Sequence, residues 1–120
     1  MAGHNKLGEE GEKVALGFLR NKGYEILETN WRSGREEVDI IAIDKDDLVI
    51  VEVKTRTSDY SGSPEEFVTK KKQRRLIKAA NDYIEQKDFN GETRFDIISI
   101  IMKDGIEEID HIEDAYYPKV

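Results

Sequence analysis

Two short apolar runs, Val38–Ile43 and Leu48–Val53, are separated only by Asp44-Lys45-Asp46-Asp47, and nothing else in the chain limits its fold so strongly. Each run is too short for a typical helix, is rich in Val and Ile, and is apolar at consecutive positions, so both of its faces need cover. With a polar, turn-forming connection between them, the runs predict an antiparallel hairpin in the middle of a sheet.

A sheet buried on both faces needs helices. From Leu7 to about Lys22 the apolar residues Leu7, Val14, Ala15, Phe18 and Leu19 recur at helical steps, with Gly23 as the stop. Ser63 and Glu66 form a capping box around Pro64 and predict a second helix running to about Lys87. Its apolar face would be Leu76, Ile77, Ala80, Tyr83 and Ile84. Tyr24–Glu28 reads as a short strand, Asn30–Arg35 as a polar loop, and Thr55–Gly62 as a Ser/Thr/Gly-rich loop. Arg94–Met102 reads as a strand and Ile106–Ile112 as a weaker one. The order predicts an α/β domain, αβββαβ, with a central mixed sheet flanked by helices. At 120 residues one domain over 1–120 is expected, with its core within 7–112.

Composition removes several chemistries. The chain has no cysteine, so disulfides, thiolate metal sites and a cysteine nucleophile are excluded, and His4 and His111 stand too far apart to suggest zinc. No apolar run is long enough to span a bilayer, which predicts a cytoplasmic protein without a membrane partner. A formal charge of −7 counts against a nucleic-acid partner unless the basic residues are clustered and part of the acidity is a metal site.

With Asp44 opposite Asp47, Asp39 falls opposite Glu52 and Glu37 opposite Lys54. Opposed residues share a face, as do residues two apart on a strand, so all four would project together. Paired carboxylates on a buried sheet repel and lose hydration unless a cation compensates them. Oxygen ligands alone suit Mg²⁺ or Mn²⁺, and Lys54 beside the ion could orient or deprotonate an attacking water. The same spacing also fits an ion-pair cluster in which Lys54 only neutralises Glu37 and Asp39.

The segments Gly8-x-x-Gly11-Glu12-x-x-Ala15, Glu37-Val38-Asp39-Ile40-Ile41-Ala42, Leu48 to Arg56 with its Glu52-Val53-Lys54, and Arg94-Phe95-Asp96 resemble the YraN-like family of small bacterial predicted endonucleases. That family is in turn similar to archaeal Holliday-junction resolvases and to the restriction-endonuclease-like, PD-(D/E)xK fold. The resemblance implies Mg²⁺-dependent hydrolysis of DNA, branched DNA among the substrates, and a homodimer. It implies metal ligation by Asp39, Glu52 and the Val53 backbone carbonyl, with Lys54 as the catalytic lysine. It also implies a water-mediated or direct reach by Glu12 and an auxiliary role for Glu37. Helical geometry alone permits Glu10 as readily as Glu12, and either serves equally as a glutamate near a helix start. Glu36 stands where many members of the family have glycine, adding negative charge that weighs against fast cleavage.

On the second helix Gln73 falls on the apolar face, either as a site residue or as an amide satisfied by backbone. Lys71, Arg74, Arg75 and Lys78 form an outward basic stripe, while Lys70, Lys71 and Lys72 start the helix nearer to Lys54. Together with Arg32, Arg35, Arg56, Tyr60 and Trp31 they are candidate DNA contacts, although a solvated helix face and a Trp31 that caps the core fit equally. The competing function is a non-catalytic module on the same fold that binds nucleic acid or a partner protein.

Overall fold

A computed structural model describes residues 5–57 and 64–118. The elements are α1 (Lys6–Asn21), β1 (Glu25–Ser33), β2 (Glu36–Asp44), β3 (Asp47–Arg56), a 3-10 turn (Pro64–Phe67), α2 (Lys70–Lys87), β4 (Thr93–Lys103) and β5 (Ile106–Tyr116). The strands form one mixed sheet in sequence order, antiparallel at every junction except the parallel β3–β4 pair. A parallel pair needs a crossover, and α2 is that connection.

The doubly apolar hairpin lies at the centre because each face of it has its own helix. On one face α1 contributes Ala15 and Leu19 to a cluster with Ile40, Ala42, Val49, Val51, Ile98 and Ile100. On the other, Leu76, Ala79, Ala80 and Tyr83 of α2 pack with Val38, Ile41, Leu48, Ile50 and Ile97. The start of α1 sits unusually close to β3: a Cβ on Gly11 would overlap the Thr55 side chain. Only glycine permits that approach, which carries the next residue, Glu12, to the C-terminal end of β3. No helix among the described residues is long and apolar enough to cross a membrane.

Three local expectations need correction. The second helix begins at Lys70, not at Pro64: Thr69 is its N-cap, accepting from the Lys72 N–H at 3.2 Å. Pro64–Phe67 is a separate turn, and buried Val68 anchors the chain to the core between the two. Ser63 and Tyr60 lie outside the described residues. The segment from Asn30 is not a loop, because β1 continues to Ser33 and turns at Gly34, where φ is +60°. A register shift between Ile26 and Glu28 and a positive φ at Asn30 break its alternation, so an edge strand reads as loop. The last strand likewise runs to Tyr116, past a register shift on its partner between Phe95 and Ile97.

Candidate active site

The hairpin has the register expected from its turn, from Asp44 opposite Asp47 to Ile40 opposite Val51. At Asp39 the pattern changes. Its Oδ2 accepts from the Val53 backbone N–H at 2.8 Å, so a carboxylate satisfies a donor of the neighbouring strand. Val38 and Ile40, two positions apart, belong to clusters on opposite sides of the sheet, so strict alternation breaks at the residue between them. Beyond this point a cavity of about 530 Å³ opens, lined by Glu12 from α1, Arg32 and Arg35 from the β1–β2 hairpin, and Glu36, Glu37 and Asp39 from β2. Glu52, Val53 and Lys54 from β3 and Lys72 and Arg75 from α2 also line it.

The two inner acids are strained electrostatically. Burial raises Asp39 to about 6 against the lowering effect of the Val53 N–H, with Glu12 and Glu37 adding repulsion. Burial and then the Asp39 charge raise Glu52 to about 8. Lys72 is the nearest compensation. Its Nζ lies 3.7 Å from Glu52 Oε2 and 3.3 Å from Glu36 Oε2, while Arg75 Nε lies 3.4 Å from Glu36 Oε1. Charges thus alternate outward as Glu52, Lys72, Glu36, Arg75. Burial alone would lower the Lys72 ammonium, but Glu52 and Glu36 outweigh it and raise its pKa.

This chain keeps one oxygen of Glu52 turned to Lys72 and gives the other, Oε1, no donor from the fold, leaving the Asp39 carboxyl as a neighbour that Glu52 can meet only by sharing a proton. An orphaned carboxylate oxygen beside a second carboxylate is the donor chemistry that a hard divalent ion takes. Among the described residues no three His, Cys, Asp or Glu side chains are gathered into a ready-made cage. The set fits Mg²⁺ or Mn²⁺ better than Ca²⁺, since Mg²⁺ keeps several waters and uses one or two carboxylates.

The sequence profile of "Uncharacterised protein family UPF0102" matches residues 11–100, a span containing every acid of this cavity. The chain belongs to the UPF0102 family. It is 50% identical to a UPF0102 protein of Flavobacterium psychrophilum over 117 residues, 98% of either chain. Identity is 47% to a UPF0102 protein of Christiangramia forsetii and 46% to one of Parabacteroides distasonis, covering 98% of this chain in both and 98% and 97% of theirs.

Of the residues singled out in this UPF0102 chain, Glu12, Glu37, Asp39, Glu52, Val53, Lys54, Arg32, Arg35 and Lys72 line the cavity. Lys54 is exposed, with its ammonium 5.6 Å from the centre of the Phe67 ring, and the Arg56 guanidinium lies 4.8 Å from the same ring. Several residues are placed elsewhere. Gln73 donates to the Val68 carbonyl at 3.1 Å and, with Lys70 and Arg74, lines a different groove. Lys71 is exposed and lines neither. Trp31 packs edge-on against Tyr83, 5.1 Å between ring centres, and is therefore spent on the core. From sequence Glu36 reads only as added negative charge and Arg75 as part of an outward stripe, whereas both line this cavity and pair with each other. The available signal was Glu36 itself, an acid beside other acids that required a cation.

Proposed function

We propose that the cavity is a divalent-metal phosphodiesterase site acting on DNA. The observation that carries this reading is the half-buried Asp39–Glu52 pair, held with raised proton affinity and with Glu52 Oε1 given no donor by the rest of the fold. Such a pair is costly to a fold and useful to an ion. Asp39, Glu52 and the Val53 carbonyl would hold Mg²⁺ or Mn²⁺, with Glu12 within reach of its water shell. When bound, the ion would supply positive charge to a phosphate oxygen and an acidified water.

The chain's own groups do the rest. The Val53 N–H fixes the Asp39 carboxylate, and Lys72, tethered by Glu36, fixes that of Glu52. Lys54, exposed at the cavity, is placed to meet a phosphate or to orient water. Arg32 and Arg35 add positive charge at the mouth of an acidic chain, where the backbone of a polyanion would pass. Both arms of a branched substrate would exceed the reach of one such cavity, which makes a homodimer the matching assembly.

Incubation with labelled linear, flapped, single-stranded and four-way-junction DNA, in Mg²⁺ and in Mn²⁺, tests the reading. Cleavage of at least one substrate that needs the ion and is lost in Glu52→Gln supports it. No cleavage of any, or equal cleavage by the variant, ends it. The second reading, a non-catalytic module with a structural ion cluster, draws on the 3.3 Å and 3.7 Å contacts by which Lys72 already bridges the acids. It requires that divalent ions leave the protein unaffected.

A further inference from the structure

We infer a second site on the opposite flank of α2, a groove that takes a nucleotide of an unpaired nucleic-acid strand. The groove, about 260 Å³, is lined by Lys70, Gln73, Arg74, Ile77, Tyr117 and Pro118. At about 100° per residue, Lys70, Gln73, Arg74 and Ile77 share one flank of the helix, while Lys72 and Arg75 project from the other into the acid cavity.

Its chemistry is that of a nucleotide. Tyr117 is 67% exposed, and among the described residues only it and Ile106 are large hydrophobics left so open to water. An aromatic ring on the rim of a groove is a stacking platform, and any base offers it a π-face. Ile77 and Pro118 extend the apolar surface. The charges that line the groove are cationic, without an acid among them, in a chain of net charge −7. Among the described residues Arg74 has no ion-pair partner, in contrast to Arg75 one position on, which is held by Glu36. Gln73, fixed by its bond to the Val68 carbonyl, presents an amide oxygen to a base edge.

The proposal deepens the nuclease reading in one respect only, that both sites would serve the same strand. A helix about 10–12 Å across separates them, so a strand leaving the cavity needs only a few nucleotides to reach Tyr117. Unpaired nucleotides beside the bond to be cut are what flaps provide and what continuous duplex lacks.

Fluorescence anisotropy of a labelled single-stranded oligonucleotide of about 12 nucleotides, a length suited to single-strand sites, tests the groove directly. The measurement is made in EDTA, with the same sequence as duplex for comparison. The single strand should bind more tightly than the duplex, Tyr117→Ala should weaken it by about tenfold, and Tyr117→Phe should bind as the original. Arg74→Ala should weaken binding and flatten its salt dependence. Thermal melts establish that the variants are folded. Affinity in folded Tyr117→Ala equal to the original, or equal affinity for both DNA forms, overturns the inference. Binding through Tyr117 without any metal-dependent cleavage would defeat the nuclease reading and leave the groove standing. Cleavage with Tyr117→Ala binding unchanged would do the reverse.

Discussion

Two acid clusters in this molecule have opposite electrostatic characters. Asp96 on β4 is fully buried and fully served: Arg94 Nε and Nη2 each donate to it at 2.9 Å, His111 Nε2 lies at 2.7 Å, and the Asp114 N–H donates at 3.0 Å. Lys22 has only hydrogens to give at 2.9 Å to His111 Nδ1, so Nε2 carries the hydrogen that Asp96 receives. Burial pushes Asp96 upward, but these donors outweigh it and hold the carboxyl below its ordinary value. Asp39 and Glu52 are half-buried, yet there desolvation and repulsion from neighbouring carboxylates win, and both are raised. A carboxylate that the fold itself satisfies is a structural part. A pair that the fold leaves under-compensated is the place where the proposed ion would act.

The largest effect should come from damage to the satisfied cluster. Asp96→Asn withdraws the charge facing Arg94 and should cost about 3–5 kcal/mol, the usual price of breaking a buried pair, as read in denaturant melts. Asp39→Asn should do the opposite: the apo protein should be as stable as the original or more so, because an amide oxygen can still accept from the Val53 N–H while the repulsion disappears. Cleavage should nevertheless fall by more than about a hundredfold, since even outer partners of a metal ligand cost up to that much. An Asp39→Asn protein that melts well below the original would erase the distinction between the two clusters.

The pH response sharpens the same contrast. Asp39 and Glu52 hold protons more tightly folded than unfolded, so their contribution to stability is full below their ordinary values near 4 and is lost as pH rises through about 6 and then about 8. Asp96 runs the other way: its contribution is present above its ordinary value of 3.8 and is lost as pH falls through the lower folded value. Melts in EDTA should therefore decline between pH 5 and pH 8, and Asp39→Asn with Glu52→Gln should flatten that decline while leaving the acid limb intact. An unchanged slope in the double variant would place the titration elsewhere.

Much of this was legible before any coordinates. The hairpin register followed from a turn of acids and two doubly apolar runs, and Asp39 and Glu52 stood out because each interrupts such a run. The second helix was harder. Weighting its bulky residues put Leu76, Ile77, Ala80, Tyr83 and Ile84 on the core face, which drew Gln73 inward. The buried face is Leu76, Ala79, Ala80 and Tyr83, with Ile77 and Ile84 packed only partly against the same cluster. That rotation turns Gln73 outward and brings Lys72 and Arg75 to the acids. The break of alternation at Asp39 left no trace in the pattern, since Val38 and Ile40 are apolar whichever way they face. Asp96 could be read only as a motif residue: Arg94 stands beside it in that motif, but the His111 ring and the Asp114 N–H that complete its surroundings come from β5.

The smallest expected effect belongs to the link between cavity and helix. Lys72 is partly exposed, so Lys72→Met should lower apo stability by under about 1 kcal/mol, by melts at neutral pH. A larger loss would mean that the cavity is held together as a structural cluster, much as Asp96 is.

The central claim, that Asp39 and Glu52 form an ion seat, is tested most directly by titrating Mn²⁺ into the purified protein and following free Mn²⁺ by electron paramagnetic resonance. The original sequence should take up the ion saturably, and Asp39→Asn and Glu52→Gln, each folded by its melt, should lose that uptake. An original protein that leaves all Mn²⁺ free, or variants that take up as much as it does, would contradict the account.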